Sequence, residues 1–177
     1  MAEIRFEFQI KGLEQLKAQP ARFEKAYQEA GKEAMVQATA VLARAIVLRF
    51  ERPAAGLPPA INTGLLRNSV AWRIPRIDGR TIEGGVGTNI AYALPMEFGS
   101  RPHWPPRAAI EFWVKRKLRV PAQQAGAVAF LIARKIARRG TAPRRIFALG
   151  LEDAKPRMTE IFSRLPKLIL EKMDAAA

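Results

Sequence analysis

The stretch from Thr63 to Ser100, TGLLRNSVAWRIPRIDGRTIEGGVGTNIAYALPMEFGS, decides how the rest of the chain must be arranged. Val70, Trp72 and Ile74 alternate with Ala71 and Arg73, and beyond Pro75 and the turn signal Asp78-Gly79 the apolar character resumes from Ile82 to Val86. Period-two alternation on both sides of an Asp-Gly pair predicts a β-hairpin. Extended, Ala91 to Phe98 would put Tyr92, Leu94, Met96 and Phe98 on one face, which predicts a third strand, with Pro95 at an edge or a bulge. A meander of this size exposes one apolar face and needs helices to cover it.

The covering element is sought upstream. Ile4, Phe6, Phe8 and Ile10 alternate with polar residues up to Lys11-Gly12 and predict a further strand. From Pro20, apolar residues recur at three- and four-residue steps as far as Phe50, which predicts one long helix of about 45 Å packing on the sheet through Tyr27, Ala34, Ala38 and Leu42. Arg52–Asn62, RPAAGLPPAIN, cannot continue it and reads as an exposed loop. Downstream, Ile110, Trp113, Val114 and Leu118 mark a short helix, and Ala125, Val128, Ala129, Ile132 and Ile136 line a second that opens after Pro121 and stops at Gly140. The last helical segment runs from Ile146 to about Met173; a break near Lys155 with a fresh start at Pro156, and a kink at Pro166, are expected because proline removes a backbone donor. The fold class is therefore α+β: a long N-terminal helix on a small, mainly antiparallel sheet, with a helical hairpin at about 107–139 and a C-terminal helix. Residues 1–177 read as a single domain.

Composition restricts the chemistry. The chain has 177 residues, 49% of them hydrophobic, and no cysteine, so disulfides and thiolate metal sites are impossible. There is no apolar run long enough to cross a membrane, and Met1 to Ile10 alternates charged and apolar residues where a signal peptide needs a continuous apolar core, so a soluble protein is expected. His103 is the only histidine and sits beside Trp104 in a proline-rich connector, an unpromising start for a triad or a His metal site. Gly84-Gly85-Val86-Gly87 resembles a phosphate loop only briefly: Ile90 stands where a glycine is needed and no Walker lysine follows, so a turn or bulge is expected. Glu97 lacks a second acid nearby and reads as a structural carboxylate, with Arg67 its candidate partner. No catalytic residue, metal ligand or cofactor site is expected, and the chain does not read as an enzyme.

The net charge of +14 is concentrated. Between Arg101 and Arg145 twelve arginines and lysines face one acid, Glu111, so +11 of it lies in a quarter of the chain. Arg134, Lys135, Arg138 and Arg139 cluster at the end of the second hairpin helix. Three meanings are open for this block: a solvated face that also suits the helix dipole, a nucleic-acid surface, or a docking surface for an acidic protein. Phe112, Trp113 and Phe130 are expected to pack internally, which disfavours a single-strand stacking platform and leaves duplex backbone contact.

Three segments, TGLLRNSV (Thr63–Val70), VGTNIAYALPMEFGS (Val86–Ser100) and RGTAPRRIFALGLEDA (Arg139–Ala154), taken in order, resemble the tail-completion, or head-tail joining, proteins of long-tailed bacteriophages. The resemblance rests on Thr63, Gly64, Leu66, Arg67 and Ser69, then Tyr92 and Ala93, then Glu97, Phe98 and Gly99. In shorter members the last triplet leads almost directly into the final helix, whereas here Arg107–Arg139 intervenes and looks like an insertion. The resemblance implies a minor structural protein of the virion neck, assembled in the host bacterial cytoplasm and repeated as a sixfold homo-oligomeric ring. Its partners would be the head connector or adaptor and the tail terminator or tube, with genomic DNA passing through the channel and no membrane involved. The competing class is a basic nucleic-acid-binding protein that grips duplex backbone.

Overall fold

A computed structural model describes residues 2–6 (backbone only), 20–52, 60, 62–78 and 81–175. The elements run β1 (Ala2–Phe6), α1 (Pro20–Arg49), α2 (Leu65–Asn68), β2 (Ala71–Asp78), β3 (Thr81–Thr88), α3 (Ala93–Phe98), α4 (Arg107–Trp113), α5 (Ala122–Arg139), α6 (Ile146–Ser163) and α7 (Leu165–Ala175). The architecture is α+β, as the patterning predicts. The strand end expected at Lys11-Gly12, the proline-rich segment 53–59, the Gly79 turn and the last two alanines lie outside the described residues.

Among the described residues the sheet has three strands in the order β1-β3-β2, both pairings antiparallel. Its third strand is the N-terminal one. The segment expected to supply it, Ala91–Phe98, instead forms α3. Helical spacing changes which residues turn inward: Ala93 and Glu97, four apart, are buried, while Tyr92, Leu94 and Phe98 are exposed. In β2 one extra residue lies between the pairs Arg73–Gly85 and Arg76–Glu83. Pro75, which has no N–H to donate, sits in that bulge on an edge strand, where the loss costs no ladder bond.

Gly84–Gly87 is not a turn but lies within β3, with Gly84 opposite the extra residue of the β2 bulge. The reason is close packing. A Cβ at Gly84 would press into Met35, 2.7 Å from Cγ, and 2.8 Å from the Thr39 Cγ2, so only glycine lets the central strand lie this close on α1.

Helix α1 is covered on two sides rather than one. Met35, Ala38 and Leu42 are fully buried, Tyr27 and Ala34 nearly so, but besides the sheet α1 packs extensively along α6 and α7. Gly150 of α6 makes the crossing possible, because a Cβ there would stand 2.7 Å from Ile46 Cγ1 and 2.9 Å from its Cα. Ile46, Phe50, Leu66, Val86, Phe147 and Met158 share one apolar cluster; Tyr27, Met35, Ile82, Leu165 and Ile169 share another toward the other end of α1. Ion pairs from Arg49 to Asp153 and from Glu33 to Lys172 (3.3 Å) reinforce the two crossings.

The expected break at Lys155 is absent. Helix α6 continues through Pro156, which with Glu152, the residue four positions earlier, faces solvent, so the unpaired carbonyl can turn to water. The break falls at Arg164 instead, and Pro166 lies in the first turn of α7, where its missing donor is harmless.

Candidate functional site

The residues that carry the family resemblance converge on one junction. Gly64 adopts φ 82°, a left-handed conformation that glycine takes without strain, and turns the chain into α2. The Thr63 hydroxyl accepts the Leu65 N–H at 3.3 Å, and Leu66 drops into the cluster that holds Val86 and Ala93. At the end of α2 the Ser69 hydroxyl donates to the Leu66 carbonyl at 2.8 Å and lies 2.6 Å from the buried Thr88 hydroxyl, whose oxygen also accepts the Ile90 N–H at 3.1 Å. The turn before the hairpin and the end of its second strand are thereby locked together.

Glu97 and Arg67 are not partners. Arg67 bonds Glu51 at 2.6 Å, just past α1, whereas the buried Glu97 carboxylate accepts the backbone N–H groups of Phe147 at 2.8 Å and Ala148 at 2.9 Å. It caps the start of α6, where unsatisfied amides and the helix dipole both favour a negative charge. No local signal announces this bond, which spans 50 residues of sequence.

Immediately beyond Glu97 the chain leaves on its helical excursion and returns at Thr141. Ser100 and Thr141 exchange both backbone N–H···O=C bonds at 3.1 Å, and their hydroxyls meet at 2.9 Å. The Arg144 and Arg145 N–H groups then bond the Met96 and Glu97 carbonyls. Gly99 (φ 76°) and Gly140 (φ 68°) flank this closure, and a side chain on Gly140 would collide with the Ser100 backbone. Within the excursion, Val114, Ala125 and Ala129 form a small core of their own with Trp113 and Ile132 around it.

The turn Val114–Leu118 is π-helical. Val114 at its start is fully buried, whereas Leu118 at its end stands 48% exposed. Phe112, expected to pack internally, is 54% exposed, and Phe130 is 44% exposed with its ring beside Trp104 at 5.9 Å. Phe112 lies off the stripe of Ile110, Trp113 and Val114, so its outward position was legible in the spacing. His103 is exposed and donates from Nδ1 to the Arg101 carbonyl at 2.9 Å.

Two surface features result. A groove of about 520 Å³ opens between the excursion and the junction, with Leu65, Tyr92, Phe112 and Leu118 among its walls and Arg67, Lys117 and Arg144 as its charges. Burial lowers the Arg144 pKa from the usual arginine value, yet the guanidinium stays charged at neutral pH. On the outer side of α5, Arg134, Lys135, Arg138 and Arg139 are all exposed around a shallow depression of about 370 Å³ that also holds Leu131. None of the four makes an ion pair among the described residues. The excursion's one acid, Glu111, is engaged by Lys115 at 2.8 Å, and that hydrogen bond with the lysine's charge holds its carboxyl below the usual range.

Compared with known proteins, the chain matches no family model, no curated protein and no solved structure. The geometry of these surfaces must speak for itself.

Proposed function

We propose that the chain is a structural subunit of a bacteriophage neck, assembled as a ring that joins the head connector to the tail and leaves a passage for DNA. One observation carries most weight: large apolar side chains stand in water on the motif segments themselves. Leu65 is 55% exposed, Tyr92 45% and Phe98 73%, and on the edge strand β2 Trp72 and Ile74 are 43% and 72% exposed. Several large exposed apolar side chains on these segments support a role in contact with another protein. The junction beneath it is rigid, with Ser69 bonded to Thr88 and Glu97 capping α6, as a subunit that transmits geometry rather than chemistry requires. The test is a particle lacking this chain: lysates should hold DNA-filled heads and separate tails by electron microscopy. Normally joined particles, or arrested DNA synthesis, would overturn the assignment.

The second reading, a duplex-binding protein, draws on the four exposed cations of α5, which have no ion pair among the described residues. Their spacing places Arg134 with Arg138 and Lys135 with Arg139 on two adjoining stripes, suited to backbone phosphates rather than base edges. Binding to duplex DNA that falls steeply with salt, in a mutant phage whose heads and tails still join, would favour it.

A further inference from the structure

We infer that the groove between the helical excursion and the Thr63–Arg67 turn receives an acidic, amphipathic segment of a different protein. At about 520 Å³ it falls in the range of pockets that take a discrete ligand, roughly 300–1,000 Å³. Four of its wall residues, Leu65, Tyr92, Phe112 and Leu118, are large, apolar and between 45% and 55% exposed, so an occupant gains by covering them with apolar side chains. Among the described residues no acid lines the groove. Its charged residues are Arg67, Lys117 and Arg144; Arg67 already faces Glu51, but Lys117 has no ion pair among the described residues. Charge complementarity therefore asks for acids at the edge of an otherwise apolar segment.

The same observations weigh against two other occupants. A duplex would meet phosphate-repellent apolar walls here, while the cations suited to it lie on α5. A second copy meeting this groove through the same face would set Arg67, Lys117 and Arg144 against their own counterparts, a local repulsion that leaves ring contacts elsewhere on the chain unaffected. Leu118, at the end of the π-helical turn, stands in the groove wall and not in the excursion's small core. The inference goes beyond the neck reading, since it concerns the chemistry of a partner segment whatever particle the chain belongs to.

A yeast-displayed library of random 16-residue peptides, selected against the purified full-length chain, tests it. Enriched peptides should carry net negative charge and two or more Leu, Ile, Phe or Trp residues at helical spacing. One synthetic peptide from that pool, followed by fluorescence anisotropy, should bind at least tenfold more weakly to Phe112→Ser, to Leu118→Ser and to Lys117→Glu. It should bind unchanged to the Arg134→Glu/Arg138→Glu control. All three groove residues are partly or fully on the surface, and circular dichroism verifies each fold independently. Failure to enrich acidic-apolar peptides, binding indifferent to all three groove variants, or displacement of the peptide by a 20-base-pair duplex would overturn the inference. None of these outcomes alters what lysate morphology says about the neck, so the two readings fail separately.

Discussion

The buried Glu97 carboxylate accepts the Phe147 N–H at 2.8 Å and the Ala148 N–H at 2.9 Å, tying α3 to the first turn of α6 across the mouth of the helical excursion. One side chain thus satisfies two of the orphan amides of an 18-residue helix and fixes where the chain re-enters the body. The Arg144 and Arg145 amides bond in turn to the Met96 and Glu97 carbonyls, so the junction is held in both directions.

Removing that carboxylate should be costly. Glu97→Ala leaves two amides without their charged acceptor and should destabilise the protein by about 2 to 4 kcal/mol in urea unfolding. Glu97→Gln keeps one good acceptor and should lose roughly half as much. Equal stability of Glu97→Ala and the unaltered protein would show that water replaces the cap without penalty.

Two glycines rank the packing interfaces. Gly150→Ala must displace the Ile46 backbone, 2.9 Å from the new Cβ, and should cost about 2 kcal/mol even after the gain of about 1 kcal/mol from alanine's helix propensity. Gly84→Ala meets the flexible Met35 side chain and the Thr39 methyl, and should cost less, about 1 kcal/mol. Thermal denaturation of the two variants decides the order, and a milder Gly150 variant would mean that α6 can slide along α1.

The long helix and the β2–β3 hairpin were legible because each obeys one period over many residues. Ala91–Phe98 was not. In so short a segment Tyr92, Leu94, Met96 and Phe98 fit an alternation, yet Ala93 and Glu97 are the pair that turns inward, and what decides it is the distant α6 amide that Glu97 meets. Pro156 misled for a related reason: its carbonyl partner lies on the wet side of α6, a fact about tertiary placement that proline's local rule does not contain. The basic cluster was readable as residues, whereas the groove was not, since it brings Leu65 and Tyr92 together with Phe112 and Leu118. Leu118, which spacing groups with Ile110, Trp113 and Val114, stands in the groove wall instead.

The excursion should be removable. Ser100 and Thr141 exchange both backbone bonds, a pairing in which the Cα atoms stand about 5.5 Å apart, so two glycines can join them when residues 101–140 are deleted. Ten basic residues and one acid leave with that segment, lowering the net charge from +14 to +5. The shortened chain should unfold cooperatively with a melting temperature within a few degrees of the original, as the core around α1 is intact. A molten or insoluble product would mean that the excursion helps to hold that core.

Charge reversal on α5 separates a working surface from a merely solvated one. Arg134 and Arg138 lie four residues apart on one exposed stripe, and their long side chains leave the apolar face of Ala125, Ala129 and Ala133 untouched. Arg134→Glu/Arg138→Glu should therefore melt as the parent does. If these residues face duplex DNA, the parent's affinity for a 20-base-pair duplex should fall steeply with salt, and the variant's slope of log K against log salt should be shallower by about 2, one unit for each phosphate that is no longer neutralised. If parent and variant bind duplex equally, these residues do not touch phosphate. If the variant also joins heads to tails in full yield, the cluster does no more than keep α5 hydrated.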